Sequence, residues 1–323
     1  MTSLFRAVAA AVLATPLLGA GCSVLDSTDD LSGKAVRAAA DAPPRSSAAA
    51  HDGWTAEFQL PDGRLTARIA PLTDTKVRAD QTFARQAVEA GDGTTLVAVS
   101  WASEAGAGVP PVAQTMVLDP RVEDELALVD GDQRVPLEVD GLSRTKGFVY
   151  AAVTDPAHLR LEVVFDGVTQ AIAAGADAPH ADPAAQPLYD ATQASPADYT
   201  DCVAAVTPAS FTRRGGSAFC RARTASWPWV AGSGWSDGRP WQLVQLETTM
   251  HPADGGVVRD TKVAATLDGQ APAATSGGDQ SGESTSSILV FPSGTHFAVR
   301  RTSTAPSGPL TLRGSLDLTV PGR

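Results

Sequence analysis

Residues 92–108 read DGTTLVAVSWASEAGAG, and this stretch decides the fold class. After an Asp-Gly turn signal, Val97, Val99 and Trp101 place a large apolar side chain at every second position. A period of two is typical of a strand that buries one face. Short alternating or β-branched runs of the same kind, separated by Gly, Pro and Asp, fill most of the chain. The pattern therefore predicts a mainly β protein.

The opening stretch has a counterpart later in the chain, residues 237–256 (DGRPWQLVQLETTMHPADGG). Two further pairs of segments match in the same order: 125–137 with 262–274, and 148–164 with 288–301. Each match alone is weak, but their common order at offsets of about 140 residues indicates an internal duplication. We predict two tandem β-sandwich, immunoglobulin-like domains, at residues 52–172 and 198–323.

Composition bounds the functions that the chain can serve. The 323 residues carry 25 Lys and Arg against 36 Asp and Glu, a net charge of −11. A nucleic-acid surface usually needs a basic footprint, so this balance argues against nucleic-acid partners. The hydrophobic content of 43% is too high for a wholly disordered chain and is enough for two cores.

The first residues have the pattern of an export signal. Arg6 precedes an uncharged apolar run of 15 residues, 7–21, which is shorter than the roughly 20 residues needed to span a bilayer. The run ends in small residues directly before Cys22. We predict a signal peptide at residues 1–21 and lipidation of Cys22. The alternative is an ordinary secretion signal in which Cys22 is an incidental thiol.

Leu18-Gly19-Ala20-Gly21-Cys22 resembles a bacterial lipobox, and the high Ala, Gly, Asp and Pro content resembles cell-envelope lipoproteins of high-GC Gram-positive bacteria. The sequence departs from that pattern at Gly19, where Leu is usual. The resemblance implies a diacylglycerol on Cys22 and attachment to the outer face of the cell membrane, because two or more acyl chains give stable anchoring. It covers location only.

Cys202 and Cys220 remain as an even pair in a chain predicted to be exported. Such a pair favours a disulfide, and closing a loop of this size stabilises by about 3 kcal/mol in the chain-entropy model. The alternative is two buried free thiols. A zinc site is disfavoured, because no second cysteine pair or clustered histidine accompanies them.

Polar, small-residue stretches divide the chain. We predict a flexible tether at residues 22–51, an interdomain linker at 173–197 that is rich in Ala, Asp and Pro, and a mobile loop at 271–287. Residues 76–90 are the one candidate for a short helix, and residues 112–117 are a candidate strand.

The sequence contains no recognised catalytic or metal-binding motif. His158 and His296 lie at matching places in the two repeats, which favours a structural origin, and His51 and His180 lie in the predicted tether and linker. Acidic turns lack the ligand spacing of a calcium loop. We therefore expect no catalytic residues, no cofactor and no metal.

Tryptophans are concentrated in residues 227–241 (WPWVAGSGWSDGRPW). The four indoles, together with nearby arginines, form the candidate ligand-binding set: Trp227, Trp229, Trp235, Trp241, Arg213 and Arg214. Exposed indoles beside arginine can stack on sugar rings or make cation–π contacts. The alternative is that these rings pack the core of the second domain.

These observations favour a lipid-anchored, non-catalytic envelope module that binds a cell-wall glycan or an envelope protein, or that serves as a structural spacer. The alternative is an envelope hydrolase, or an accessory subunit of an envelope enzyme, with an unrecognised site. A pocket that joins a histidine to a carboxylate would favour the enzyme, whereas an aromatic face would favour the module.

Overall fold

The computed structural model describes residues 29–31, 33–39, 53–122, 124–137, 145–190, 198–279 and 282–318. It is mainly β, with antiparallel sheets packed as sandwiches, which confirms the predicted fold class. The predicted signal peptide, residues 1–21, and Cys22 lie outside the described residues. Within the described ranges, no helix combines the length and the apolar character needed to cross a bilayer.

The first half of the described chain forms strands β1 (Asp29–Asp30), β2 (Ala35–Arg37), β3 (Trp54–Leu60), β4 (Gly63–Pro71), β5 (Lys76–Val77), β6 (Val88–Glu89), β7 (Thr95–Ala105), β8 (Asp124–Asp130), β9 (Gln133–Pro136), β10 (Lys146–Val153), β11 (Arg160–Phe165), β12 (Val168–Ala173) and β13 (His180–Ala181). Two short 3₁₀ turns accompany them, Ala79–Gln81 and Gln186–Tyr189.

Two five-stranded sheets, in the orders β2-β10-β7-β4-β3 and β13-β12-β11-β8-β9, make the first sandwich. Val97, Val99 and Trp101 on β7 are buried, as their alternation predicts. They share one core with Leu128 of β8 and Leu161 of β11 on the facing sheet. A small third layer, β1-β6-β5, covers the outer side of the first sheet.

The second half forms β14 (Thr200–Asp201), β15 (Val203–Thr207), α1 (Ser210–Arg213), β16 (Ser217–Trp227), β17 (Trp229–Val230), β18 (Gly234–Trp235), β19 (Trp241–His251), β20 (Arg259–Leu267), β21 (Ala274–Asp279), β22 (Ser284–Phe291), β23 (His296–Ala305) and β24 (Gly308–Asp317). Sheets β14-β16-β19-β22-β21 and β15-β24-β23-β20 make the second sandwich, and β17 pairs with β18 in a small hairpin.

The two sandwiches share a strand order. In one sheet β4-β7-β10 corresponds to β16-β19-β22, and in the other β12-β11-β8 corresponds to β24-β23-β20. The three pairs of matching sequence segments lie on these corresponding strands. A duplication requires such an order, and the duplication itself stays a prediction.

The structure joins Cys202 and Cys220 in a disulfide, with 5.3 Å between their Cα atoms. Cys202 lies where the chain leaves β14 in one sheet and enters β15 in the other, and Cys220 lies in β16. The predicted pairing is therefore confirmed. The disulfide links the connection between β14 and β15, where the chain passes from one sheet to the other, to β16.

The predicted tether, residues 22–51, is wrong in its described part. Residues 35–37 form β2 and pair with β10, and Asp29 and Asp30 pair with β6. Leu31 is buried with Val77 and Tyr150 in the third layer. The small, polar composition of this segment concealed its docking, because Leu31 is the one large apolar side chain among its described buried residues, Leu31, Ala38 and Ala39.

The predicted linker, residues 173–197, is also wrong in its described part, 173–190. Leu188 packs in the core of the first sandwich. The Tyr189 hydroxyl accepts a hydrogen bond from Gln59 N at 3.2 Å and donates to the Gln170 side chain. Burial raises the pKa of Tyr189 to about 12, so the hydroxyl stays protonated and able to donate.

Three smaller predictions are corrected. Most of the predicted mobile loop, residues 271–287, forms β21 and the start of β22. Residues 76–90 form two short strands around a 3₁₀ turn and no α-helix. Residues 112–117 are a buried turn segment and not a strand, because they pack against the end of the sandwich without a neighbouring strand to pair with.

Candidate functional site

The tryptophan segment begins where β16 ends. Pro228 interrupts that strand directly after Trp227, since proline cannot donate a ladder hydrogen bond. β17 and β18 then form a hairpin that pairs Trp229 with Trp235. Gly232 and Gly234 have φ angles of +78° and +72°, a backbone conformation that favours glycine. The tight turn therefore carries several indoles on a short length of chain.

Trp227, Trp229 and Trp235, here called the tryptophan interface, all donate hydrogen bonds to the first sandwich. The Nε1 atom of Trp227 donates to Pro61 O at 2.9 Å. Trp229 Nε1 donates to Asp166 Oδ2 at 2.7 Å, and Trp235 Nε1 donates to Phe165 O at 3.2 Å. The accepting groups belong to the β3–β4 and β11–β12 turns and the end of β11. The second sandwich is thus fixed to one end of the first.

Aromatic packing adds to these hydrogen bonds. The Phe165 ring meets Trp229 edge to face, with centroids 5.0 Å apart, and meets Trp235 in the same manner at 6.1 Å. Ala231 N also donates to Met116 O at 2.8 Å, within the buried turn segment that follows β7. Edge-to-face pairs stabilise beyond their buried area, so this contact is both apolar and directional.

The outer face of β16, β19 and β22 completes the contact. Strand register places Ala225, Leu243 and Val290 side by side in one row. Leu243 and Val290 are fully buried and belong to the same apolar cluster as the core of the first sandwich. One continuous apolar cluster therefore includes residues of both sandwiches.

For Trp227 and Trp229, this arrangement corrects both interpretations. Trp227 and Trp229 are 0% and 1% exposed, so they offer no open stacking surface. Nor do they fill the core of the second sandwich, because they pack against the first one. The sequence could not distinguish this third arrangement, since an indole buried between two units has the same composition signal as a core indole.

Trp241 is partly exposed; it pairs with Trp227 across β16 and β19 and packs against the edge of the same apolar cluster. Its Nε1 atom donates to Gly234 O at 3.0 Å, which fixes the ring. It lines an open groove of about 500 Å³ with Ser236, Asp237, Gly238, Arg239, Pro292 and Ser293. The groove therefore combines an indole with a carboxylate and a guanidinium.

Arg213 and Arg214 are not brought to the tryptophans. They lie at the end of α1, before β16, whereas Trp227 ends β16. Eleven residues of extended strand separate the two places by about 33 Å. Arg214 instead lines a smaller groove with Phe211 and Asp254, of about 250 Å³.

A polar network on the second sandwich was missed by the sequence analysis. Arg221 contacts Glu247 at 2.7 Å and lies over the Tyr199 ring, 4.5 Å from its centroid. Tyr199 also donates to Glu247. Burial opposes ionisation of Glu247, but the Tyr199 and Arg221 hydrogen bonds outweigh it and lower its pKa. The register of β16 with β19 brings Arg221 to Glu247, and the pairing of β14 with β16 brings Tyr199 to the same place.

Three histidines each pair with one surface carboxylate: His158 with Asp155 at 2.6 Å, His251 with Glu283 at 2.9 Å, and His296 with Asp317 at 2.9 Å. The hydrogen bond that His158 donates to the Asp155 carboxylate raises the pKa of His158. His180 lies in β13, and His51 is outside the described residues. Across the ranges that the structure describes, no three His, Cys, Asp or Glu side chains are grouped to hold a metal ion.

Comparison with protein-family models and with curated proteins finds no match to this chain. Function is therefore argued from the geometry of the site, because a β-sandwich alone supports many unrelated functions.

Proposed function

We propose that this protein is a lipid-anchored, exported envelope protein that acts as a non-catalytic glycan-binding module. The observation that carries the proposal is the groove beside Trp241. An indole face binds the apolar face of a sugar ring, while Asp237 accepts and Arg239 donates hydrogen bonds to hydroxyl groups. The groove volume of about 500 Å³ lies within the range of small-ligand sites.

The structure of the groove supports a preformed site. Trp241 is held by its hydrogen bond to Gly234, and Gly234 belongs to the hairpin that carries Trp235 into the tryptophan interface. Ordering that ring on binding a ligand therefore costs little conformational entropy. Ser236 and Ser293 add hydroxyl groups at the rim.

Export and anchoring rest on the N-terminal pattern, the signal-like run at residues 7–21 followed by Cys22. The Cys202–Cys220 disulfide supports an oxidising compartment outside the cytosol, where such bonds persist. Together they support a module attached to the outer face of the cell membrane.

Titration calorimetry with soluble peptidoglycan fragments tests the groove. We expect Trp241→Ala to weaken binding by about tenfold or more, with smaller losses for Asp237→Asn and Arg239→Gln, because each removes one side of the proposed contact. Asp132→Asn, in an exposed turn of the first sandwich, is the matched control. Equal affinity in all four variants would exclude the groove as the glycan site.

Fractionation of cells tests the anchor. We expect the Cys22→Ala chain to move from the membrane to the soluble fraction, because the thiol that carries the lipid is gone. A Cys22→Ala chain that stays in the membrane after alkaline extraction would contradict lipid anchoring through this residue. This outcome is independent of glycan binding.

A further inference from the structure

Phe83 is an apolar side chain exposed on a loop that is closed by hydrogen bonds. The ring is 59% exposed, and Ala84 and Arg85 beside it are exposed as well. Thr82 is fully buried, and its hydroxyl donates to Gln86 O at 2.7 Å and accepts from Gln86 N at 3.0 Å. These bonds close residues 82–86, here called the tip loop. The hydrogen bonds between Thr82 and Gln86 therefore hold Phe83 in an exposed position.

Two arginines lie next to this ring. The Arg37 guanidinium lies over Phe83, with its Cζ atom 4.2 Å from the ring centroid. Arg85 has a φ of +58°, an uncommon conformation for a residue other than glycine, and its side chain is exposed. The nearby Asp80 carboxylate is bound by Arg78 through two bonds of 3.0 Å. Arg85 Nη1 also donates to Asp80 O at 3.4 Å. The tip loop therefore presents an aromatic ring covered by Arg37, with the exposed Arg85 two residues further along the chain, on a protein that is acidic overall.

The chain brings this loop close to the proposed lipid site. Seven residues lead from Cys22 to Asp29 and span at most about 25 Å. Asp29 pairs with Val88, five residues after Phe83, so Phe83 lies within roughly 20 Å of Asp29. Residues 29–31 and 33–39 are folded onto the first sandwich. The segment from Cys22 to the sandwich is therefore seven residues long and not the thirty of the predicted tether. A lipid on Cys22 would therefore hold this side of the sandwich near the membrane.

We propose that the tip loop rests on the surface of an anionic lipid bilayer, with Phe83 in the interfacial region and Arg37 and Arg85 at the lipid head groups. This proposal rests on the proposed lipid anchor. Aromatic side chains favour the membrane–water interface, and arginines near an anionic surface add to the attraction. The lipid at Cys22 supplies the main affinity, and the tip loop sets the orientation of the first sandwich.

A fluorescent label at position 83 tests the contact. With Cys202 and Cys220 bonded and Cys22 lipidated, Phe83→Cys introduces a single free thiol for a nitrobenzoxadiazole label. The lipidated chain is reconstituted in phosphatidylcholine vesicles with or without an equal amount of phosphatidylglycerol. We expect emission at position 83 to rise by about twofold on the anionic vesicles, with quenching by nitroxide-labelled lipid.

Leu118→Cys is the matched control, since Leu118 is 65% exposed on the first sandwich but belongs to the end that faces the second sandwich. We expect no change at position 118, and a rise at position 83 reduced by half or more when Arg37→Gln and Arg85→Gln are added. Equal emission at position 83 with and without vesicles would overturn the proposal. A change seen only with envelope proteins present would also overturn it, in favour of a protein partner.

Vesicle flotation and the mass of the N-terminal peptide report the anchor separately. A chain that floats with vesicles and carries lipid, but whose label at position 83 remains in water, contradicts the tip-loop contact alone. A chain without lipid on Cys22 contradicts the proposed anchor, and with it the basis of the tip-loop contact.

Discussion

Arg301 is a charged side chain in a fully buried position. It lies between the sheets of the second sandwich, and among the described residues no carboxylate forms an ion pair with it. Its guanidinium donates to Thr248 O at 2.8 Å and to Gly282 O at 2.5 Å. Burial lowers the pKa of Arg301 to about 10, which still leaves it charged at neutral pH. Neutral oxygens alone solvate this cation.

Gly282 is part of that arrangement. A Cβ atom at position 282 would lie 1.7 Å from Val258 O, so only glycine brings this backbone close enough to accept from Arg301. The sequence offered no signal for the contact, because Arg301 and Gly282 meet through the pairing of separate strands and loops.

We predict that Arg301→Lys lowers the free energy of unfolding by about 2 to 3 kcal/mol, more than Arg301→Met does. Lysine keeps a buried charge but cannot reach both carbonyl oxygens, whereas methionine removes the charge as well. Urea denaturation measures both values. Arg300→Lys, at the exposed neighbouring position, is the control and should change stability little. A larger loss in Arg301→Met would show that the charge itself stabilises the sandwich.

At the scale of elements, an aspartate at the end of one strand accepts hydrogen bonds from the loop that joins the two sheets, in both sandwiches. In the first, Asp130, the last residue of β8, accepts from Thr154 N in the β10–β11 loop. In the second, Asp268 after β20 accepts from Thr295 N at 3.0 Å and from His296 N at 2.8 Å, in the β22–β23 loop. The same contact joins corresponding elements, which supports the predicted duplication.

Asp268 gives this contact a pH dependence. Hydrogen bonds from His296 N and Thr295 N lower the pKa of Asp268 below its usual value of 3.8. A lowered folded-state pKa means that the stabilisation is present above the unfolded value and is lost as the pH falls through the folded value. We expect urea stability to fall below about pH 4, and Asp268→Asn to reduce that fall.

Asp132→Asn is the control for the pH series, since Asp132 lies in an exposed turn. Its stability should fall with pH as that of the unaltered chain does. Identical profiles for Asp268→Asn and the unaltered chain would contradict a folded-state carboxylate bond at this turn.

The Cys202–Cys220 bond acts on the same scale. We expect the double variant Cys202→Ala, Cys220→Ala to lose about 3 kcal/mol of unfolding free energy, because its unfolded chain is no longer constrained by the closed loop. Denaturation of the oxidised chain and the variant measures the difference. Non-reducing mass spectrometry of the mature chain should show the two cysteines linked, and two alkylatable thiols would contradict the bond.

Strand alternation and turn signals predicted the elements that bury a face of their own. β7, at Thr95–Ala105, contains the alternating residues Val97, Val99 and Trp101, and all three are buried. Prediction failed where a segment is held by contacts distant in sequence. Residues 29–39 and 173–190 have linker composition, yet single anchors such as Leu31, Leu188 and Tyr189 dock them.

The candidate site shows the same limit. Composition identified the tryptophan-rich segment, and the structure places that segment at a junction. Nothing within residues 227–241 indicates that their partners are Pro61, Phe165 and Asp166, since those contacts join positions 60 to 170 residues apart. The Trp241 groove likewise depends on a loop at residues 292–293 from another part of the second sandwich.

At the scale of the whole molecule, the tryptophan interface is expected to make the two sandwiches unfold as one unit. Trp227 and Trp229 are buried in a cluster that includes the core of the first sandwich, so separating the sandwiches exposes both rings to water. We expect one cooperative thermal transition for the unaltered chain. Calorimetry and hydrogen exchange at both sandwiches measure it.

Trp227→Ala with Trp229→Ala should divide that transition. Each truncation of a buried tryptophan costs about 3 to 5 kcal/mol, and here the loss falls on the contact between sandwiches more than on either set of strands. The expected result is two transitions, with earlier exchange at the turns that hold Pro61 and Asp166. Phe83→Ala, an exposed aromatic outside the contact, should keep a single transition. Two transitions in the unaltered chain would mean that the interface does not couple the sandwiches. A single transition in the double variant would mean that the row of Ala225, Leu243 and Val290 is enough to couple them.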